Sequence, residues 1–69
     1  MKRVEFGSKV YATNSNGEGL FTRQATEGAY TQIKGNSQFK ANKTAKGFIS
    51  QLKRAGLISS DAEATYINW

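Results

Sequence analysis

An α+β fold is predicted: a small antiparallel β-sheet of three to four short strands, packed on one amphipathic helix over about residues 43–55, with a C-terminal strand. Three observations predict it. Residues 2–6 (KRVEF) and 9–13 (KVYAT) alternate polar with apolar side chains, the period of a half-buried strand. Asn16-Gly17 lies between KVYAT and the strand-like run GLFTR at 19–23, a strong short-range hairpin signal. The apolar residues Ala45, Phe48, Ile49 and Leu52 then fall at i, i+3, i+4 and i+7, the stripe of a helix facing a core.

The first strand places Val4 and Phe6 on one face, and Gly7-Ser8 reads as a turn or bulge. Residues 24–28 (QATEG) form a loop. AYTQIK at 29–34 is a further strand, with Ile33 inward and Tyr30 and Lys34 on the other face. Gly35-Asn36-Ser37 breaks it, and Phe39 anchors the approach to the helix.

On the helix, Lys43, Lys46, Ser50, Lys53 and Arg54 cluster opposite the apolar stripe. Asn42 and Thr44 compete as N-cap. Gly56 suits the left-handed C′ position, which would bring Leu57 at C″ onto Leu52 at C3. Two features oppose helix formation. Lys43 and Lys46 meet the unfavourable end of the helix dipole, at about 0.3–1 kcal/mol each. Gly47 costs about 1 kcal/mol relative to alanine. A phosphate at this end would relieve the first conflict, and a close backbone approach over Gly47 would explain the second. The competing reading is a solvated lysine face, with the glycine making room for a neighbouring segment. Beyond the helix, Ser60 and Glu63 have capping-box spacing. ATYINW at 64–69 is rich in strand formers, with Thr65, Ile67 and Trp69 on one face, and is predicted as the closing strand.

The chain is long enough for a single small domain over residues 1–69. Its candidate core is Val4, Phe6, Val10, Ala12, Phe21, Ile33, Phe39, Ala45, Phe48, Ile49, Leu52, Leu57, Ile58, Ile67 and Trp69. A core of this size often gains stability by binding a partner, and a homodimer is one such route. Cysteine and histidine are absent, which excludes disulfides, common zinc fingers and most nucleophilic or acid–base constellations. No metal, no cofactor and no enzymatic activity are expected. No apolar run approaches the ~20 residues of a membrane span, and no signal-peptide pattern opens the chain. A cytoplasmic protein without membrane contact is expected.

The net charge of +5 is unevenly placed. Between Gly28 and Ser60 there is no acidic residue, while Lys34, Lys40, Lys43, Lys46, Lys53 and Arg54 all fall there. A block of one sign centred on a helix fits a polyanionic partner. The expected function is therefore that of a small basic nucleic-acid-binding protein, a DNA-binding regulator or accessory factor for transcription. Lys34, Lys40, Lys43, Thr44, Lys46, Gly47, Ser50, Lys53 and Arg54 are the candidate contact residues, and duplex DNA is the expected partner. Two alternatives compete. One is a protein-binding inhibitor or adaptor of the phage or mobile-element type, using Tyr11, Leu20, Tyr30 and Trp69 as an exposed patch. The other is a single-stranded nucleic-acid binder, stacking bases on Tyr11, Phe21 or Tyr30.

TAKGFISQLKRAGLI, the turn SSDAE and the strand ATYINW together resemble the second half of a winged helix-turn-helix domain, over about residues 42–69. The resemblance implies that Lys43, Thr44, Lys46, Gly47 and Ser50 lie in or beside the major groove, and that Lys53 and Arg54 contact the DNA backbone. A winged helix also needs two helices before the recognition helix. Residues 2–34 read as strands instead, so a sheet packed on one helix is the competing architecture.

Overall fold

The computed structural model describes residues 1–69. Five strands and one helix follow in order: β1 (Lys2–Phe6), β2 (Lys9–Thr13), β3 (Leu20–Gln24), β4 (Thr31–Lys34), α1 (Ala45–Arg54) and β5 (Tyr66–Asn68). The first four strands form an antiparallel meander. β5 then pairs antiparallel with β1, giving the order β4-β3-β2-β1-β5. The chain therefore leaves the sheet at one edge and re-enters at the other, and α1 lies in the connection that carries it across. An α+β fold with the helix on the sheet and a C-terminal strand is what the alternation and the helical stripe predicted.

Local details depart from the sequence reading. The β1–β2 turn has two residues, with Phe6 opposite Lys9 and Gly7 at φ +65° in its first central position, as a type II′ hairpin turn requires. The β2–β3 hairpin forms as expected, but Asn16-Gly17 does not make a two-residue type I′ turn. No non-glycine residue has positive φ, which excludes that turn. Asn14 organises the connection instead: its Oδ1 accepts from the Asn16 and Glu18 amides, both at 2.9 Å. Residues 17–19 then pair with the segment before α1, through Gly19 N–H to Phe39 O (2.9 Å) and Ala41 N–H to Gly17 O (2.7 Å). Ser60 and Glu63 start no helix. Ser59 Oγ donates to Asp61 Oδ1 in a turn, and the chain proceeds to β5.

The core lies between α1 and one face of the sheet: Val4, Tyr11, Leu20, Phe48 and Leu52, flanked by Phe6, Phe39, Ala45, Ile49, Leu57, Ile58 and Trp69. Its sheet side corrects the prediction. Val4 is opposite Tyr11, so β2 turns Tyr11 toward the helix, and period-2 alternation sends Val10 and Ala12 to the reverse face. Tyr11 and Leu20, expected on an exposed patch, are buried. The Tyr11 hydroxyl satisfies itself by donating to Leu57 O at 3.1 Å.

Val10 and Ala12 are fully buried without a second layer above them. They sit in the middle strand between longer neighbours: Arg3 and Phe21 beside Ala12, Glu5 and Arg23 beside Val10. Arg3 Nε also reaches Glu5 at 2.9 Å along the same face.

Ile33, expected inward, is 41% exposed. The register between β3 and β4 steps from Phe21–Gln32 to Leu20–Lys34, so Ile33 is the extra residue of a β-bulge and loses its place opposite a partner. Ile67, also expected in the core, is 49% exposed on the edge strand β5.

Candidate nucleic-acid interface

The helix is shorter at both ends than predicted, and its caps explain why. Thr44, not Asn42, is the N-cap, and its Oγ1 accepts from Gly47 N–H at 3.1 Å. Asn42 caps the cap: its Oδ1 accepts from the Thr44 amide (3.1 Å) and the Thr44 hydroxyl (3.2 Å). At the other end Gly56, at φ +74°, donates to Lys53 O (3.1 Å), and Leu57 N–H donates to Leu52 O (3.1 Å). Those two bonds are the Schellman pair that Gly56 and Leu57 were expected to make.

Gln51 belongs to no sequence motif, yet it ties the preceding segment to the helix. Its Oε1 accepts from Asn42 N–H (2.8 Å) and its Nε2 donates to Lys40 O (2.9 Å). The carboxamide thus acts as one more peptide group for a segment that has left the sheet. A polar residue on the boundary between the apolar stripe and the basic face was the available signal.

The space over Gly47 is filled from within. A Cβ there would fall on the Asn42 carboxamide, so Gly47 accommodates the capping side chain and does not offer an open approach. Thr44 likewise spends its hydroxyl inside the chain. Of the candidate contact residues, Lys34, Lys40, Lys43, Lys46, Ser50 and Arg54 are exposed, and Lys53 is half-buried. The chain's single salt bridge is Arg3–Glu5, so no candidate cation has a carboxylate within reach. Lys46, Ser50, Lys53 and Arg54 share the outward side of α1. Lys34 sits at the end of β4, and Lys40 makes an isolated bridge with Glu18.

The proposed aromatic patch does not form as one surface. Trp69 packs on Phe48 (ring centroids 4.8 Å apart), with Nε1 donating to Lys43 O at 2.8 Å. Tyr30 lies under the Arg23 guanidinium, 5.1 Å from ring centroid to Cζ. Phe21 is half-buried on the reverse face, and Tyr11 is in the core. No three His, Cys, Asp or Glu side chains come together in a group that could hold a metal ion. One open depression of about 180 Å³ lies beside Lys9, Thr22, Gln24 and Thr31. No helix is long and apolar enough to cross a membrane. The two helices that a winged helix places before its recognition helix are strands here, and residues 66–68 pair with β1. Comparison with protein-family models, with curated proteins and with solved structures finds no match to this chain.

Proposed function

We propose that this protein binds nucleic acid, with duplex DNA as the partner, and acts inside the cell as a small DNA-binding regulator or accessory factor. The observation that carries the reading is the unpaired basic surface of α1 and the segment leading into it. Lys40, Lys43, Lys46, Lys53 and Arg54 have no carboxylate within 4.0 Å, and the acid-free block extends on both sides of the helix. Unpaired cations on a rigid, capped element keep their full charge for a polyanion, and the release of counterions then drives association. Ser50 adds a hydrogen-bonding group in the middle of that face. Thr44 and Gly47 support it by holding the helix start.

Charge reversal tests the assignment. Lys43→Glu with Lys46→Glu is expected to weaken duplex binding at least tenfold, measured by fluorescence anisotropy across a salt titration. Lys9→Glu, at the opposite end of the strands, is expected to change it by less than threefold. Equal losses would remove α1 and the segment leading into it from the interface.

One observation favours a second reading, a protein-binding adaptor: β5 is an edge strand whose Tyr66 and Ile67, on opposite faces, are each 49% exposed. An edge of this kind pairs readily with an extended segment of another chain. Recovery of one stoichiometric protein partner, with no nucleic-acid affinity at physiological salt, would favour that reading.

A further inference from the structure

The strand register gathers lysines that are remote in sequence. Lys2 opens β1 and Lys34 closes β4, so in an antiparallel sheet both lie at the end that carries the β2–β3 connection. Lys40 is at that same end, because it bridges Glu18 within the connection. Lys43 joins them from above: its carbonyl accepts from Trp69, the residue that follows Asn68, the β5 partner of Arg3. Across the sheet the order is therefore Lys34 at β4, Lys40 at the β2–β3 connection, Lys2 at β1 and Lys43 beside the end of β5. Five strands at about 4.8 Å spacing make this rim about 19 Å long.

The acids are distributed the other way. Glu18 is the one acidic residue at this rim. Glu27 follows β3, and Asp61 and Glu63 precede β5, which places them toward the opposite end of the strands. Glu5 is neutralised by Arg3. The reverse face of the sheet carries the Arg3–Glu5 pair and Arg23, whose guanidinium donates to the Gln24, Ala25 and Glu27 carbonyls, whereas register puts Lys2 opposite Thr13 and Lys34 opposite Leu20, on the helix side. Trp69 braces two of the four cations: the Lys2 ammonium sits 5.5 Å from its ring centroid, and its indole N–H holds the Lys43 carbonyl.

We propose that this rim is the phosphate-tracking edge of the interface, running along one backbone of a duplex while the outward cations of α1 face the other. The inference rests on the nucleic-acid reading and deepens it. It adds Lys2 to the contact set and makes Trp69 a positioning residue. A single row would suit a single strand. A rim row together with a separate helical row suits the two backbones flanking a groove, so the partner is double-stranded.

The test is the salt dependence of binding for the full chain and four variants, with duplex DNA, single-stranded DNA and duplex RNA as probes. Lys2→Gln and Lys34→Gln should each lower the log–log salt slope by about 0.9 and weaken duplex binding about three- to eightfold near 0.1 M salt. Lys9→Gln, on the helix side but at the other end of β2, should change neither. Trp69→Phe should weaken binding without a matching change in slope, since it removes no charge. Lys34 makes no core contact, so its variant stays informative if Lys2→Gln disturbs folding, which circular dichroism reports. Full retention of slope and affinity in Lys2→Gln and Lys34→Gln would overturn the rim and leave α1 as the interface. Single-stranded DNA bound as tightly as duplex would overturn the two-row geometry. Absence of salt-sensitive binding to all three probes would overturn the rim and the nucleic-acid reading together.

Discussion

At the scale of single residues, Gly47 and Asn42 act as one unit. A glycine inside a helix costs about 1 kcal/mol relative to alanine, and here the missing Cβ leaves room for the Asn42 carboxamide. That carboxamide holds both the amide and the hydroxyl of the N-cap residue Thr44. Gly47→Ala is therefore expected to destabilise the fold by about 1–2 kcal/mol, because displacing the Asn42 carboxamide breaks capping hydrogen bonds that outweigh the improved helix propensity. In an Asn42→Ala background the same substitution should cost little or improve stability. Urea unfolding of the four-member cycle measures this, and a Gly47→Ala variant more stable than the parent would show that Asn42 does not need the space. The helix start is thus explained within the chain, and the basic surface must be justified by its cations alone.

At the scale of elements, β2 decides how the sheet meets the helix. Its alternation, KVYAT, fits two opposite orientations: Val10 and Ala12 inward, or Tyr11 and Thr13 inward. The second is realised. Tyr11 brings a large ring to the core, against Phe6 at 6.3 Å between centroids, and finds an acceptor in Leu57 O for the hydroxyl that would otherwise be buried unpaired. Thr13 likewise donates to Glu18 O at 3.1 Å. Tyr11→Phe keeps the packing and deletes one hydrogen bond, so a loss of about 1 kcal/mol with unchanged nucleic-acid affinity is expected. Chemical denaturation beside a binding titration checks both halves. Unchanged stability would mean that the bond to Leu57 contributes nothing. The bulge at Ile33 acts similarly on β4, moving an apolar side chain out of register at an edge strand where little would cover it.

For the molecule as a whole, the limiting quantity is the size of the core. Only 9 of 69 residues are buried, and Phe48 and Leu52 are the sole buried residues of α1. Stability for a chain of this length is about 3–10 kcal/mol. Leu52→Ala, at about 2–5 kcal/mol, would remove much of that and lower the melting temperature by roughly 10–30 °C. Val10→Ala is expected to cost less, because Val10 is covered by flanking side chains and not by a packed layer. Thermal melts followed by circular dichroism compare the two, and equal losses would show a second core on the reverse face. The same globule distributes its charges unevenly: lysines at one rim and on the helix, an Arg3–Glu5 pair and Arg23 on the reverse sheet face.

The elements and the C-terminal cap of the helix were legible from local sequence. Strand alternation in KRVEF and KVYAT, the stripe of Ala45, Phe48, Ile49 and Leu52, and the Gly56-Leu57 stop each depend on residues a few positions apart, where periodicity and backbone preference are read directly. The candidate surface was half legible, since the acid-free block from Gly28 to Ser60 is a property of the chain. The face on which each strand residue sits was not. Side chains alternate with a period of two, so a choice of orientation in β2, or one extra residue at Ile33, reverses inside and outside without altering composition. Nor could sequence place Lys2 beside Lys43, because that requires β5 to cross the helix connection and pair with β1. Neighbours of that kind are made by pairing between distant segments, and only the folded chain contains them.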